Sequence, residues 1–201
     1  MRIRWPAALL LLIVTGVSAE RPAGATPCVF PDVAGMTPVP LQAGASAPAG
    51  IGGDLPGGRW ELITLRYTPS IPLTIVGEGI SAIELDAVDG SSGISAAVLD
   101  FEITSPTATT LQQTGAGPYL ATGVNLAFTN DCGDALALGG SEYSVETDGP
   151  DPILRLWGAF DVQLTDPIPI TVTIQLEAVF ELVEPQIIED PVFEDRFEQL
   201  P

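Results

Sequence analysis

The sequence predicts an all-β protein, a single antiparallel domain folded as an up-and-down barrel or a two-sheet sandwich. Three observations carry this. Long segments alternate apolar and polar residues with period two, turn signals separate them at short intervals, and no segment carries an amphipathic helical stripe. Alternation puts one set of side chains on a dry face and the other in water. That suits an antiparallel sheet better than a parallel one covered on both sides.

The elements follow in order. Arg59–Thr68 (RWELITLRYT) is rich in aromatic and apolar residues and reads as the first strand, and Ile80–Val88 reads as a less regular second one. In Ile94–Thr104, Leu99, Phe101 and Ile103 share one face and Asp100, Glu102 and Thr104 the other. Tyr119–Thr129 groups Leu120, Val124, Leu126 and Phe128. Ile153–Leu164 sets Leu154, Leu156, Phe160, Val162 and Leu164 against Arg155, Asp161 and Gln163. The clearest strand is Ile168–Val183. Ile170, Val172, Ile174, Leu176, Ala178, Phe180 and Leu182 line one face, and Thr171, Thr173, Gln175, Glu177 and Glu181 the other, expected wet, face. Leu73–Val76, Thr109–Thr114, Ala135–Leu138 and Glu142–Thr147 are shorter candidates. Turns are expected at Asp89-Gly90, Gly115-Ala116-Gly117-Pro118, Gly139-Gly140 and Asp148-Gly149-Pro150. This makes about eight to ten strands, and their length favours the barrel slightly over the sandwich.

Around this domain, residues 59–183, the composition changes. Residues 1–19 (MRIRWPAALLLLIVTGVSA) have a positive start at Arg2 and Arg4, an apolar core of about a dozen residues and a small-residue end, the order of a cleaved secretory signal. A spanning helix needs roughly 20 apolar residues, so an anchor is the poorer reading. Cleavage is expected after Ala19, with Ala25 as the second site. Residues 20–58 are rich in Pro, Gly and Ala, show no strand period, and read as an extended arm whose prolines deny it regular ladders. Residues 184–201 form an acidic tail.

Export makes the two cysteines, Cys28 and Cys132, the default pair for one disulfide closing a loop of about 100 residues. The chain has no lysine and no histidine; its basic residues are arginines, against 26 acids, for a net charge of −19. That balance disfavours nucleic acid and anionic lipid, and favours solubility, cations or basic partners. Without histidine or lysine there is no Ser-His-Asp triad, no histidine zinc site and no Schiff base, and Ser18, Ser46 and the other serines show no base partner. No catalytic residue and no cofactor is assigned. The acid pairs Asp86 and Asp89, Asp131 and Asp134, and Asp148 and Asp151 read first as turn chemistry and second as calcium ligands.

Two motifs carry resemblances. Gly58-Arg59-Trp60 resembles the G-x-W that opens the first strand of lipocalin-type (calycin) barrels. The likeness implies that Trp60 closes one end of a barrel, that a late arginine, for which Arg155 is the candidate, packs over it, and that the barrel holds a small apolar ligand. Without the likeness, Trp60 is an ordinary core residue. The end of the chain, Val192-Phe193-Glu194-Asp195-Arg196-Phe197-Glu198, resembles the F-x-D-x-F-E tails of exported Gram-negative proteins, with Phe193, Asp195, Phe197 and Glu198 matching and Arg196 where Gly is usual. It implies lineage and a sorting role; a plain tail docked through Phe193 and Phe197 is the alternative.

The function expected from all this is that of an exported, non-enzymatic binding or surface-interaction protein, periplasmic or extracellular. A small carboxylate-based hydrolase and an eight-stranded outer-membrane barrel are the alternatives.

Overall fold

Ten strands, and no helix among the described residues, make up the computed structural model, which describes residues 28–106, 108–134, 141–164 and 170–186. They are β1 (Val39–Ala43), β2 (Gly58–Pro69), β3 (Val76–Asp89), β4 (Ser92–Ser105), β5 (Thr109–Thr122), β6 (Asn125–Phe128), β7 (Cys132–Gly133), β8 (Ser141–Glu146), β9 (Ile153–Leu164) and β10 (Ile170–Pro185). One sheet holds them all in the order β4-β3-β1-β2-β10-β9-β8-β6-β5-β7, and pairing of β4 with β5 closes it into a ring. The barrel is thus reached rather than the sandwich. Eight strands form the ring; β1 is a wedge and β7 prolongs the line of β6 along β5.

The apolar faces read from the sequence turn inward. Val172, Ile174, Leu176, Ala178, Phe180 and Leu182 of β10 are buried, as are Leu154 and Leu156 of β9 and Leu99 of β4. On β2 the phase slips once. Leu62 pairs with Phe180 and Thr64 with Val179, leaving Ile63 as an extra residue in a bulge. The bulge lets Trp60 and Leu62 on one side, and Leu65 and Tyr67 on the other, all reach the core.

The strand pattern is corrected in three places. Thr109–Thr114 does not stop at Gly115; β5 runs through Gly115-Ala116-Gly117-Pro118 to Thr122. Gly115 and Gly117 belong to its inward face, and a Cβ on Gly117 would strike the carbonyl of Thr129, so these glycines serve close packing and not a turn. The reversal comes later, at Gly123, which has positive φ (60°). It splits the expected Tyr119–Thr129 strand into β5 and β6, leaving Leu120 outside while Leu126 is buried. Leu73–Val76 is mostly loop. Ile75 folds over the barrel end, where its backbone N–H donates to Tyr67 Oη at 2.7 Å. Ala135–Leu138 and Gly139-Gly140 lie outside the described residues.

In its described residues, 28 to 58, the proline-rich arm carries a strand. Leu41–Ala43 pairs in parallel with Leu65–Tyr67, and Val39 and Pro40 pair with Gly79 and Glu78, so β1 fills the gap where β2 and β3 diverge. The prolines do not prevent this, because Pro38 precedes the strand and Pro40 lies at its short β3 contact.

The whole segment forms a belt. Cys28 is bonded to Cys132, and in register across the outer wall from Cys132 lie Ala116, Ala96, Glu84 and Arg59. Arg59 Nη2 donates to the carbonyl of Asp32 at 2.6 Å, so residues 28 to 32 cross that row. After β1, Gly44 and Ala45 donate their amides to the carbonyl of Tyr67, and the chain then crosses β10 and β9 to β8. There Gly52 and Tyr143 or Val145 exchange two backbone bonds of 3.0 Å. A Cβ on Gly52, whose φ is 65°, would strike the Gly123 carbonyl.

Residues 53 to 56 then lie across one end of the barrel as a lid. Leu55 is 1% exposed and its N–H donates to Gly90 O. Tyr143 Oη donates to Gly53 O at 2.8 Å and Trp60 Nε1 to Pro56 O at 3.3 Å. Tyr119 is buried, and its hydroxyl has no partner among the described residues. Burial, with the charges of Asp89 and Asp86, pushes its pKa up to about 12. An unpaired buried hydroxyl costs about 1–3 kcal/mol of desolvation. Tyr119→Phe is therefore expected to be neutral or to stabilise by about 1 kcal/mol in urea unfolding, and a marked loss would show that the hydroxyl has a partner.

Candidate functional site

The outer faces of β2, β10 and β9 should be wet, yet Glu177 in the middle of β10 is wholly buried. Register explains who meets it. Arg66 of β2 lies opposite on one side and Trp157 of β9 on the other, with Arg155 two residues before it. Arg66 Nη1 is 3.5 Å from Oε2 and Arg155 Nη1 is 3.3 Å from Oε1. Arg155 Nε also donates to Glu146 on β8 at 2.7 Å. The belt closes the site from above: Ser46 donates its N–H to Oε2 at 2.9 Å and its hydroxyl to Oε1 at 2.6 Å, and the Trp157 indole N–H donates to Ser46 Oγ at 3.2 Å.

This carboxylate accepts four contacts and leaves nothing unpaired, which is what burial of a charge requires. Burial alone would push its pKa up. The Ser46 bonds and the charges of Arg66 and Arg155 outweigh that and hold it below the usual carboxylate range.

Ser46 therefore has a carboxylate partner, contrary to expectation. The pair sits 131 residues apart in sequence, so no local pattern shows it. The one usable signal was the scarcity of cations: Arg59, Arg66 and Arg155 are the only basic residues between residues 22 and 195. A carboxylate stabilised as the anion is a weak base, so the pair is a clamp on the belt and not a nucleophile with its base. We expect Glu177→Gln to lower stability by about 2–3 kcal/mol at neutral pH in urea titration. The folded pKa of Glu177 lies below its unfolded value. Its contribution is thus present above about pH 4.3 and lost as pH falls through the lower folded pKa. Acidification across that window should narrow the gap between wild type and variant, and a constant gap would contradict this role.

The other candidate residues are scattered. Arg155 is on the outer wall with Glu146 and Glu177, whereas Trp60 is inside beneath Pro56, so Arg155 does not pack over it. Asp89 Oδ1 accepts from Ser91 N, Ser91 Oγ and Ser92 Oγ, which is turn chemistry, and Asp86 Oδ1 accepts from Gln186 Nε2. Asp131 donates its N–H to Ala116 O, Asp134 donates its N–H to Thr114 O, and Asp148 and Asp151 are exposed between β8 and β9. Among the described residues no three His, Cys, Asp or Glu side chains are placed to hold a metal. An open depression of about 290 Å³ beside Arg59, Glu84, Asp86 and Glu184 is crossed by Gln186, which also accepts from Ala87 N. Ala19, Phe193, Asp195, Phe197 and Glu198 lie outside the described residues.

Comparison with protein-family models, curated proteins and solved structures finds no match.

Proposed function

We propose that this chain is an exported bacterial barrel protein that works without catalysis, by binding a partner through its outer surface. The observation that carries the reading is the dense packing of the interior among the described residues. Trp60, Leu126, Leu154, Leu156, Val172 and Phe180 expose 0% of their surface, whereas a void large enough for a ligand would expose the side chains around it. Small barrels are commonly filled in this way. The belt and lid add to it, since they cover the outer wall at Glu177 and one open end. A chain without histidine or lysine, whose Ser–Glu pair is locked in an ion cluster, offers little for hydrolysis.

The polarity of the wall supports an aqueous setting. Glu102, Asp161 and Glu181 stand on the outward faces of β4, β9 and β10, where a membrane barrel would present lipid-facing apolar residues. The signal-like residues 1–19 and the Cys28–Cys132 bridge support export to an oxidising compartment.

Two measurements test the reading. Titration of the purified protein with a fluorescent naphthalene-sulfonate dye and with a long-chain fatty acid should give no stoichiometric internal binding and no rise in Tm. Such binding, or robust turnover of glycan or ester substrates, would overturn it. Fractionation should place a chain beginning after Ala19 or Ala25 outside the cytoplasm; a soluble cytoplasmic chain that still begins at Met1 removes the export part.

A further inference from the structure

Near the lidded end, β4 and β5 reverse the pattern of the rest of the barrel. Gly93, Ser95, Gly115 and Gly117 face inward, and Ile94, Pro118 and Leu120 face out. The interior has a reason to be small there: the Tyr119 ring fills it, and a Cβ on Gly93 would lie 2.8 Å from Tyr119 Cε1. Nothing in the interior requires the outer residues to be large and apolar. Ile94 is 52% exposed, Leu120 56% and nearby Val88 82%. Ile94, Pro118, Leu120 and Ala127 are contiguous by register, since Ile94 pairs with Pro118 and Leu120 with exposed Ala127 on β6, and Val88 follows two residues along β3 from Asp86, the partner of Ile94.

The rim is acidic, and among the described residues no ion pair compensates it. Asp86 is the register partner of Ile94, and Asp89 that of Ser92; both are exposed. The three arginines among the described residues are engaged elsewhere, Arg59 with Glu61 and Glu84, Arg66 with Glu177, and Arg155 with Glu146 and Glu177. A second copy would bring a net charge of −19 against this rim. The face therefore complements an apolar surface edged with positive charge.

We propose that Ile94, Pro118, Leu120 and Ala127, with Val88 beside them, form a docking surface for a cationic polypeptide segment bearing apolar side chains. This rests on the reading of the chain as a binding protein and names the face and the chemistry of its partner. Apolar contact supplies affinity, and the acids steer and orient the segment, so binding weakens with salt.

The test uses the mature protein and two labelled synthetic peptides of equal charge, one alternating lysine with leucine and one alternating lysine with serine. Fluorescence anisotropy should show the leucine peptide binding at least about tenfold more tightly, which corresponds to about 1.4 kcal/mol. Ile94→Ser with Leu120→Ser should abolish that preference, Leu120→Lys should weaken both peptides, and Val76→Ser at the opposite end should change neither. Thermal melts identify any variant that fails to fold, and the single Leu120→Lys variant keeps the test decisive if the double variant is lost. No preference for leucine, or one that survives both patch variants, overturns the proposal. So does concentration-dependent dimerisation that the patch variants abolish, which assigns the face to a second copy. Peptide binding only after removal of residues 187–201 also overturns it, because the chain's own tail would then be the occupant. None of these results touches the broader reading, which fails on turnover or an internal ligand.

Discussion

Replacing Cys28 and Cys132 together by serine is expected to lower the unfolding free energy by about 4–5 kcal/mol, because the bridge spans 104 residues. The cross-link acts first on the unfolded chain, whose freedom it restricts more the longer the loop. It acts second on the folded barrel, where it holds the start of the belt at β7 while Arg59 holds Asp32. Urea unfolding of the wild type with and without reductant, and of the double variant, measures the first effect. Amide exchange measures the second. Protection should fall at Asp32–Met36 and in β1, while the β9–β10 ladder keeps its order at low denaturant. A change below about 1 kcal/mol would mean that the unfolded chain is already compact or that the belt holds without its clasp.

Trp60→Ala should cost about 3–5 kcal/mol, the range for deleting a buried aromatic side chain from a well-packed core. Trp60 is fully buried, stands beside Leu182 through β2–β10 pairing, and reaches the lid through its indole N–H. Trp60→Phe separates these roles. It keeps most of the volume but leaves the Pro56 carbonyl without its indole donor, and should cost about 1–2 kcal/mol. Chemical unfolding gives both numbers. Equal losses for the two variants would assign the residue's importance to the hydrogen bond. A small loss for alanine would mean that the lidded end collapses onto the space.

What the sequence discloses and what it hides divide along physical lines. β9 and β10 were readable because their alternation is sustained over most of their length. β9 has its expected bounds and β10 ends within two residues of its expected end, while residues 168 and 169 of the expected strand lie outside the described residues. β5 was not, because glycine marks both reversals and close packing, and only the neighbouring chain, here Thr129 and Gly133, decides which. The arm was read as strandless because Pro38 and Pro40 argue against a ladder, yet the diverging β2 and β3 offer partners that no local window contains. The belt's clamp was hidden for a related reason. Glu177 has the sequence position of a solvent-facing residue, and what buries it is Ser46, from the other end of the chain. The disulfide, by contrast, followed from counting: two cysteines leave one pairing.

The belt also bears on the order of assembly. β1 comes first in the chain but fits only between two strands that come later, and Cys28 waits 104 residues for its partner. Those two strands, β2 and β3, are the next in the chain, and Cys132 on β7 precedes β8, β9 and β10. The clasp and β1 therefore belong to the amino-terminal part of the barrel, and the ring is completed by β10, the last described strand, against β2. The bridge thus fastens the belt to the β2–β7 side of the barrel and spans none of the β8, β9 and β10 strands that complete the ring.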